Sequence, residues 1–252
     1  MLESGWKVET RALIRYNSIY IVLFLVLVTS ANGQVRKELF LDEGKIEISK
    51  RIYNKKVRSG LYYGQRYAND SIIYNVLYLS YYFDKIKRKP KEQLFKLLAQ
   101  RNNVDTTKTI LIHYENELKG IENFPKNDTI VYYKNGTHSH LISHKTFIEG
   151  HKKCNSTERK NTKVYHFFSE NKGHPLSFEG QEWYKDNLLL LKNTFGNGRE
   201  SRRNWALIIH PSGEFALRNA ELDYRIWNQL ADPLKYSKFK KKFQKQFKKL
   251  NP

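Results

Sequence analysis

The sequence predicts an α/β domain that follows an α-helical N-terminal extension. Two apolar runs, 109–114 (TILIHY) and 164–168 (VYHFF), are typical of buried strands, and helical spacing occurs between and after them. Strands at 205–209 and 214–218, joined by the turn Pro211-Ser212-Gly213, precede one more helical segment. Alternation of strands and helices over about 125 residues is typical of α/β domains.

The first 33 residues have the pattern of a secretory signal peptide. Basic residues precede a ten-residue apolar run, 19–28, and small residues at Ala31 and Gly33 fit a cleavage site before Gln34. An uncleaved membrane anchor is the alternative, although the run is shorter than the ~20 apolar residues that cross a bilayer. We therefore expect an exported, periplasmic or extracellular protein, associated with the membrane if the segment is retained.

The composition is strongly basic, with 45 Lys and Arg residues against 25 Asp and Glu residues and a formal net charge of +20. Such a charge attracts polyanions. Export leaves an anionic envelope surface or a protein as the expected partner and argues against nucleic acid. Aromatic residues make up 14% of the chain, enough for a folded core at this length. Cys154 is the only cysteine, which excludes an intrachain disulfide.

Residues 34–107 are predicted to form a basic, tyrosine-rich, mainly helical extension. From residue 71 to residue 88 the apolar positions recur mostly at helical spacing, and Pro90 interrupts the pattern. A second helix is expected at about 91–101, followed by Asn102-Asn103.

Residues 108–232 are predicted to form the α/β domain itself. Besides its strands, this region has helical patterns at about 140–153, 181–195 and 221–231. The predicted core order is β-α-β-α-β-β-α. This order, with its closing strand, turn, strand and helix, resembles the thioredoxin fold, and the chain is similar to exported thioredoxin-like proteins without redox cysteines.

The resemblance implies a fold but no redox activity. No CxxC motif follows the first strand, where residues 113–117 read HYENE. The proline that thioredoxins place before the third core strand is also absent, since residues 202–204 read RRN. We therefore expect a non-catalytic module, rather than an enzyme, that binds a protein partner or the envelope surface.

A histidine-rich segment suggests an alternative function. His140 and His144 are four residues apart, so a helix would place both imidazoles on one face. His144, His151 and Cys154 also recur at roughly helical spacing. Imidazole and thiolate ligands suit zinc or another late transition metal. Surface histidines without a function are the plainer interpretation. The alternative is a metal-binding protein or enzyme that uses His138, His140, His144, His151 and Cys154.

The C-terminal segment, 233–252, is predicted to be a basic amphipathic helix. Its last 18 residues include eight lysines and no acidic residue, and aromatic residues recur at steps of three and four. Two interpretations fit this pattern: the aromatic stripe packs onto the domain, or the helix lies in an anionic membrane interface. In the second case the binding residues are Phe239, Phe243 and Phe247 with Lys238, Lys240, Lys241, Lys242, Lys245, Lys248 and Lys249.

Overall fold

The computed structural model describes residues 36–69, 71–133, 138–196, 204–218 and 224–251, and the predicted signal peptide lies outside them. These residues form twelve strands and six α-helices. In chain order they are β1 Lys37–Leu41, α1 Lys50–Arg58, β2 Tyr62–Ala68, β3 Ile72–Leu79, β4 Tyr82–Lys85, α2 Arg88–Asn102, β5 Thr109–Lys119, β6 Thr129–Tyr132, β7 His138–Leu141, α3 His144–Asn155, β8 Thr162–Lys172, β9 Ser177–Phe178, β10 Gln181–Lys185, α4 Leu190–Phe195, β11 Trp205–Ile209, β12 Glu214–Arg218, α5 Tyr224–Ala231 and α6 Pro233–Leu250.

Seven strands form the main sheet, in the order β4-β12-β11-β5-β8-β10-β9. The central strands β5, β8 and β10 run parallel, and the remaining neighbours pair antiparallel. Strands β5 and β8 are each eleven residues long and carry nearly continuous buried runs, as expected for strands covered on both faces.

Helices cover both faces of this sheet. Ile110 and Ile112 of β5 share one core cluster with Leu94 and Leu98 of α2. Leu111, which points to the opposite face, belongs to a second cluster with side chains of α5 and α6. From Ile110 to Tyr114, alternation along β5 thus sends odd-numbered residues toward the α5 and α6 side and even-numbered residues toward the α2 side.

Two smaller sheets complete the fold. Strands β1, β3 and β2 form a three-stranded sheet in that spatial order, with β1 and β3 parallel. Strands β6 and β7 form a separate antiparallel pair that leads into α3.

The predicted thioredoxin-like fold with a helical N-terminal extension is wrong, and only the α/β class is confirmed. Residues 71–88, predicted as a helix, form β3 and β4, and β4 is an edge strand of the main sheet. The segment is rich in Tyr and Ile, whose side chains fit a pleated surface better than a helix. The described part of the extension therefore contains four strands as well as the helices α1 and α2, and its strand β4 belongs to the main sheet.

The predicted helix at 181–195 is also wrong. Its first part is β10, which pairs parallel with β8, and only Leu190–Phe195 is an α-helix. Gln181 and Trp183 are buried while Glu182 is exposed, which is the alternation of a strand. The extra strand replaces the second helix of the predicted β-α-β-α-β-β-α order.

The C-terminal helix α6 packs onto the domain. Asp232 caps its first turn, accepting hydrogen bonds from the backbone N–H groups of Leu234 and Lys235. Tyr236 and Phe243 are only 1% and 8% exposed, and the rest of the predicted stripe packs against the same core cluster. The docking interpretation is therefore the one this structure adopts. Among the described residues, none of the helices is long and apolar enough to cross a membrane.

Candidate metal centre

Three buried histidines converge on one face of the main sheet. His113 of β5 and His166 of β8 occupy paired positions on parallel strands, so their side chains lie next to each other. His151 of α3 packs over them, and ligand atoms of all three residues lie within 4.8 Å of one another. All three rings are buried.

The position of His151 depends on where helix α3 begins, and hydrogen bonds fix that beginning. The Oγ atom of Ser143 caps the helix by accepting a hydrogen bond from the backbone N–H of Thr146. Asp128 in turn accepts hydrogen bonds from the Ser143 backbone N–H and the Thr146 hydroxyl. Residues four apart lie on one helix face, so Phe147 and His151 both turn toward the sheet.

The His151 ring is held in one tautomer. Its Nδ1 lies 2.8 Å from the carbonyl oxygen of Phe147, so Nδ1 carries the proton and donates. The lone pair of Nε2 therefore faces the cluster, where it lies 2.9 Å from Nδ1 of His113. A donated hydrogen bond on the opposite nitrogen is the usual way in which proteins orient a metal-binding histidine.

A chain of amides fixes the His166 ring in the same way. The Gln181 Nε2 group donates to the carbonyl of Glu182, so Gln181 Oε1 accepts from Asn155 Nδ2. Asn155 Oδ1 is then the acceptor for His166 Nε2–H, at 2.8 Å. The remaining nitrogen, His166 Nδ1, is buried with a lone pair and has no hydrogen-bond partner among the described residues.

Glu115 brings a carboxylate to the cluster. It follows His113 by two positions on β5, so both side chains point to the same face. Its Oε1 atom lies 3.7 Å from His113 Nδ1 and 3.7 Å from His151 Nε2, and the residue is only 2% exposed.

Burial keeps the histidines neutral. Desolvation is the largest cause of the shift in each case: it lowers the pKa of His113 and of His166 well below the usual value, and it lowers the pKa of His151 to about 4. Neutral imidazole is the form that binds metal ions, so the rings need lose no proton at neutral pH.

Three imidazole nitrogens and one carboxylate oxygen make a donor set suited to zinc and similar late divalent ions. Tetrahedral zinc with Zn–N bonds of ~2.05 Å would hold neighbouring ligand atoms ~3.3 Å apart. The 2.9 Å between His113 and His151 is a hydrogen-bond distance, so these rings would have to separate slightly. His113 could ligate through Nδ1 only with its proton on Nε2.

Comparison of the chain with protein-family models, with curated proteins and with solved structures finds no match. The assignment of this site therefore rests on its geometry.

Of the five metal ligands predicted from the sequence, only His151 belongs to the cluster. His138 and His140 lie on β7 and are exposed. His144, the first residue of α3, contacts His174 instead. Cys154 is partly buried and packs against the core cluster of α5 and α6.

The other three residues of the cluster lie outside the predicted set. His113 and His166 are embedded in the apolar runs TILIHY and VYHFF, and Glu115 follows the first run closely. The available signal was that each buried-strand run carries one histidine. Two such strands place their histidines together when they are parallel neighbours in the right register.

Proposed function

We propose that the protein binds one divalent transition-metal ion, with zinc as the best-fitting ion, through His113, His151 and His166, and with Glu115 as the fourth ligand. The observation that carries this proposal is the buried, unpartnered Nδ1 atom of His166. A buried polar atom without a partner costs about 1–3 kcal/mol, and coordination of an ion would offset that cost.

The surroundings support a metal site in two further ways. His151 and His166 each donate a hydrogen bond from the nitrogen that faces away from the cluster, which orients their lone pairs inward. Glu115 places a carboxyl oxygen 3.7 Å from a ring nitrogen of both His113 and His151, and a carboxylate oxygen is a common zinc ligand beside imidazole nitrogens.

The arrangement favours holding an ion over hydrolysis. Catalytic zinc sites keep one coordination position open to water or substrate, whereas structural sites use four protein ligands. Here four candidate ligands are available and all are buried. We therefore propose a metal-binding role rather than an enzymatic one.

The test is metal content of the purified full chain after removal of ions with a chelator and reloading with zinc. We expect one bound zinc per chain in the parent protein and in the matched control His138→Ala, whose histidine is exposed on β7. His166→Ala should lose the ion. Circular dichroism checks that the variant is folded, and His166→Asn provides a polar replacement if it is not. Absence of zinc binding by the parent protein, or unchanged binding by a folded His166 variant, contradicts the proposal.

A second candidate function, binding to an anionic membrane surface, is favoured by one observation on α6. Lys241, Lys245 and Lys248 line an open cleft of about 650 Å³ whose other lining residues are mostly aromatic or apolar. No carboxylate in the described part of the chain pairs with these three lysines. Because the aromatic stripe is packed inward, contact with lipid headgroups would be made by lysines, each contributing ~1 kcal/mol near an anionic surface.

Vesicle co-sedimentation tests this second candidate. We expect the full chain to bind phosphatidylglycerol vesicles at low salt, to release at high salt, and to ignore phosphatidylcholine vesicles. The triple variant K241E/K245E/K248E should lose binding. The control K55E/K89E/K96E makes the same charge change at exposed positions on α1 and α2 and should bind more tightly than that variant. If both triple variants lose vesicle binding equally, binding depends on net charge alone and the cleft is not a specific binding surface.

A further inference from the structure

A second pair of histidines lies beside the three-histidine cluster. The Nε2 atoms of His144 and His174 are 3.0 Å apart. His174 is buried, whereas His144 is only partly buried, at the start of α3. Five of the eight histidines in the chain thus belong to these two neighbouring groups.

The loop after β8 holds His174 in a fixed orientation. The side chain of Asn171 accepts a hydrogen bond from the His174 backbone N–H and donates one to the His174 carbonyl. The Nδ1 atom of His174 lies 2.8 Å from the carbonyl oxygen of Pro175, so Nδ1–H donates there. The lone pair of Nε2 therefore faces His144, which donates to it. This is the same orienting device that is present at His151 and His166.

The two histidine groups are separated by aromatic rings that touch both. The Phe147 ring centroid lies 5.9 Å from that of His174 and 4.3 Å from that of His151. The Trp183 ring lies 4.6 Å from His174 and 5.7 Å from His151. The rings of Phe147 and Trp183 therefore line the space between the inner and the outer histidines, with their centroids 6.2 Å apart.

The outer pair is a poor place to retain a cation. It offers two imidazoles rather than four ligands, and His144 is the first residue of α3, where the positive end of the helix dipole opposes a cation. The carboxylate of Glu179, which acts electrostatically on His144, is already paired with Lys152. Such a site would bind an ion weakly and release it readily.

A fully buried metal site requires an entry path. We propose that His144 and His174 form an outer capture site that receives the divalent ion from solvent and passes it between Phe147 and Trp183 to the three-histidine cluster. This inference rests on the proposed function, because it assigns a loading route to that same site.

The experiment separates loading rate from equilibrium affinity. The full chain, stripped of metal, is mixed rapidly with Co²⁺, and the visible absorbance of the bound ion is followed; equilibrium affinity is measured separately by competition with a chelator. We expect His144→Ala to load about tenfold more slowly and to release its ion to a chelator more slowly by the same factor, which leaves the dissociation constant unchanged. His138→Ala, an exposed histidine outside both groups, should load at the parent rate.

Each other outcome overturns the inference. If His144→Ala and His174→Gln load at the parent rate, the ion enters elsewhere, while the buried site itself stands. If His144→Ala weakens equilibrium binding without slowing association, His144 acts as a ligand and not as a route. If the parent protein binds no Co²⁺ or Zn²⁺ at all, the proposed function fails and the loading route fails with it.

Discussion

His113 and His166 are cross-strand partners on the two longest strands of the main sheet. Their Cα atoms are paired in the parallel register of β5 and β8, and both side chains point toward α3. A slip of one residue in either strand would send one imidazole to the opposite face, among the side chains that contact α2. The apolar residues that flank each histidine therefore fix the site as well as the core, because they specify the register.

We expect Cys154→Ser to leave zinc stoichiometry and affinity unchanged. Cys154 is close to His151 in sequence, but it packs against the core cluster of α5 and α6 and is not a member of the three-histidine group. The Co²⁺-loaded parent protein should accordingly lack the thiolate-to-cobalt charge-transfer absorption that a sulfur ligand produces. A lower metal content in the serine variant, or such an absorption in the parent, would show that the thiol ligates the ion.

Asn155→Leu should weaken zinc binding by about 10- to 100-fold, and it should also lower the free energy of unfolding by roughly 1–3 kcal/mol because buried polar atoms of His166 and Gln181 lose their partner. Asn155 Oδ1 accepts the hydrogen bond that keeps the His166 proton on Nε2, and leucine removes this acceptor while retaining side-chain volume. The neighbouring variant Ser156→Ala is the control, because the exposed Ser156 hydroxyl donates its hydrogen bond to the Lys153 carbonyl and not to a residue of the cluster. Chelator competition measures both affinities, and equal values for the two variants would contradict the orienting role.

We expect His210 to make the folded protein less stable as the pH falls below about 6.5. Burial is the main cause that lowers the pKa of His210, whose Nδ1 lies 3.2 Å from the Thr109 hydroxyl. Because the folded pKa is lower than the unfolded one, the unfolded chain binds more protons between the two values, and the free energy of unfolding rises with pH across that interval. The full contribution of His210 to stability is therefore present above the pKa that it has in the unfolded chain.

Urea unfolding at several pH values, with chelator present, checks this expectation. His210→Gln keeps a polar side chain but cannot titrate, so its unfolding free energy should vary less between pH 5 and pH 7.5 than that of the parent. The remaining buried histidines titrate in both proteins, and the difference between the two curves isolates His210. Parallel curves would contradict a lowered pKa at this position.

Segments with one strong local signal were predictable from the sequence, whereas pairings between distant segments were not. The apolar runs at 109–114 and 164–168 lie within β5 and β8, and the stripe from Tyr236 to Leu250 packs inward as its spacing indicates. In 71–88 the apolar positions recur mostly at helical spacing, which predicts a helix, whereas the pairing of β3 with β2 and of β4 with β12 selects the strand.

In the candidate site, too, one residue was predictable from local sequence, whereas the others depend on the pairing of distant strands. His151 lies in a segment dense in histidines, so its sequence context attracts attention. His113 and His166 are 53 residues apart and each is the single histidine of an apolar strand. A histidine in such a strand is indistinguishable from a satisfied core residue until the register of β5 and β8 is known. The missing information was tertiary, because it concerned which strands are neighbours and which face α3 covers.

Because α6 packs onto the domain, we expect the free energy of unfolding to depend strongly on Tyr236. Its ring is buried against Phe83 and His210, and its hydroxyl donates a hydrogen bond to the carbonyl of Phe215. Tyr236→Ala should lower the free energy of unfolding by roughly 3–5 kcal/mol, and Tyr236→Phe by about 1 kcal/mol. Leu234→Ala, two residues earlier and 78% exposed, should change the free energy of unfolding by less than about 0.5 kcal/mol.

Urea denaturation of the three variants distinguishes a packed helix from one that is released in solution. If α6 is packed, the loss of unfolding free energy is large for the buried Tyr236 and small for the exposed Leu234. The helix shares its core cluster with Trp227 and Leu230, so its removal would expose that cluster. If Tyr236→Ala were as stable as Leu234→Ala, the stripe would not be docked in solution. The aromatic rings would then be available to enter an anionic membrane interface, which is the interpretation that packing of α6 argues against.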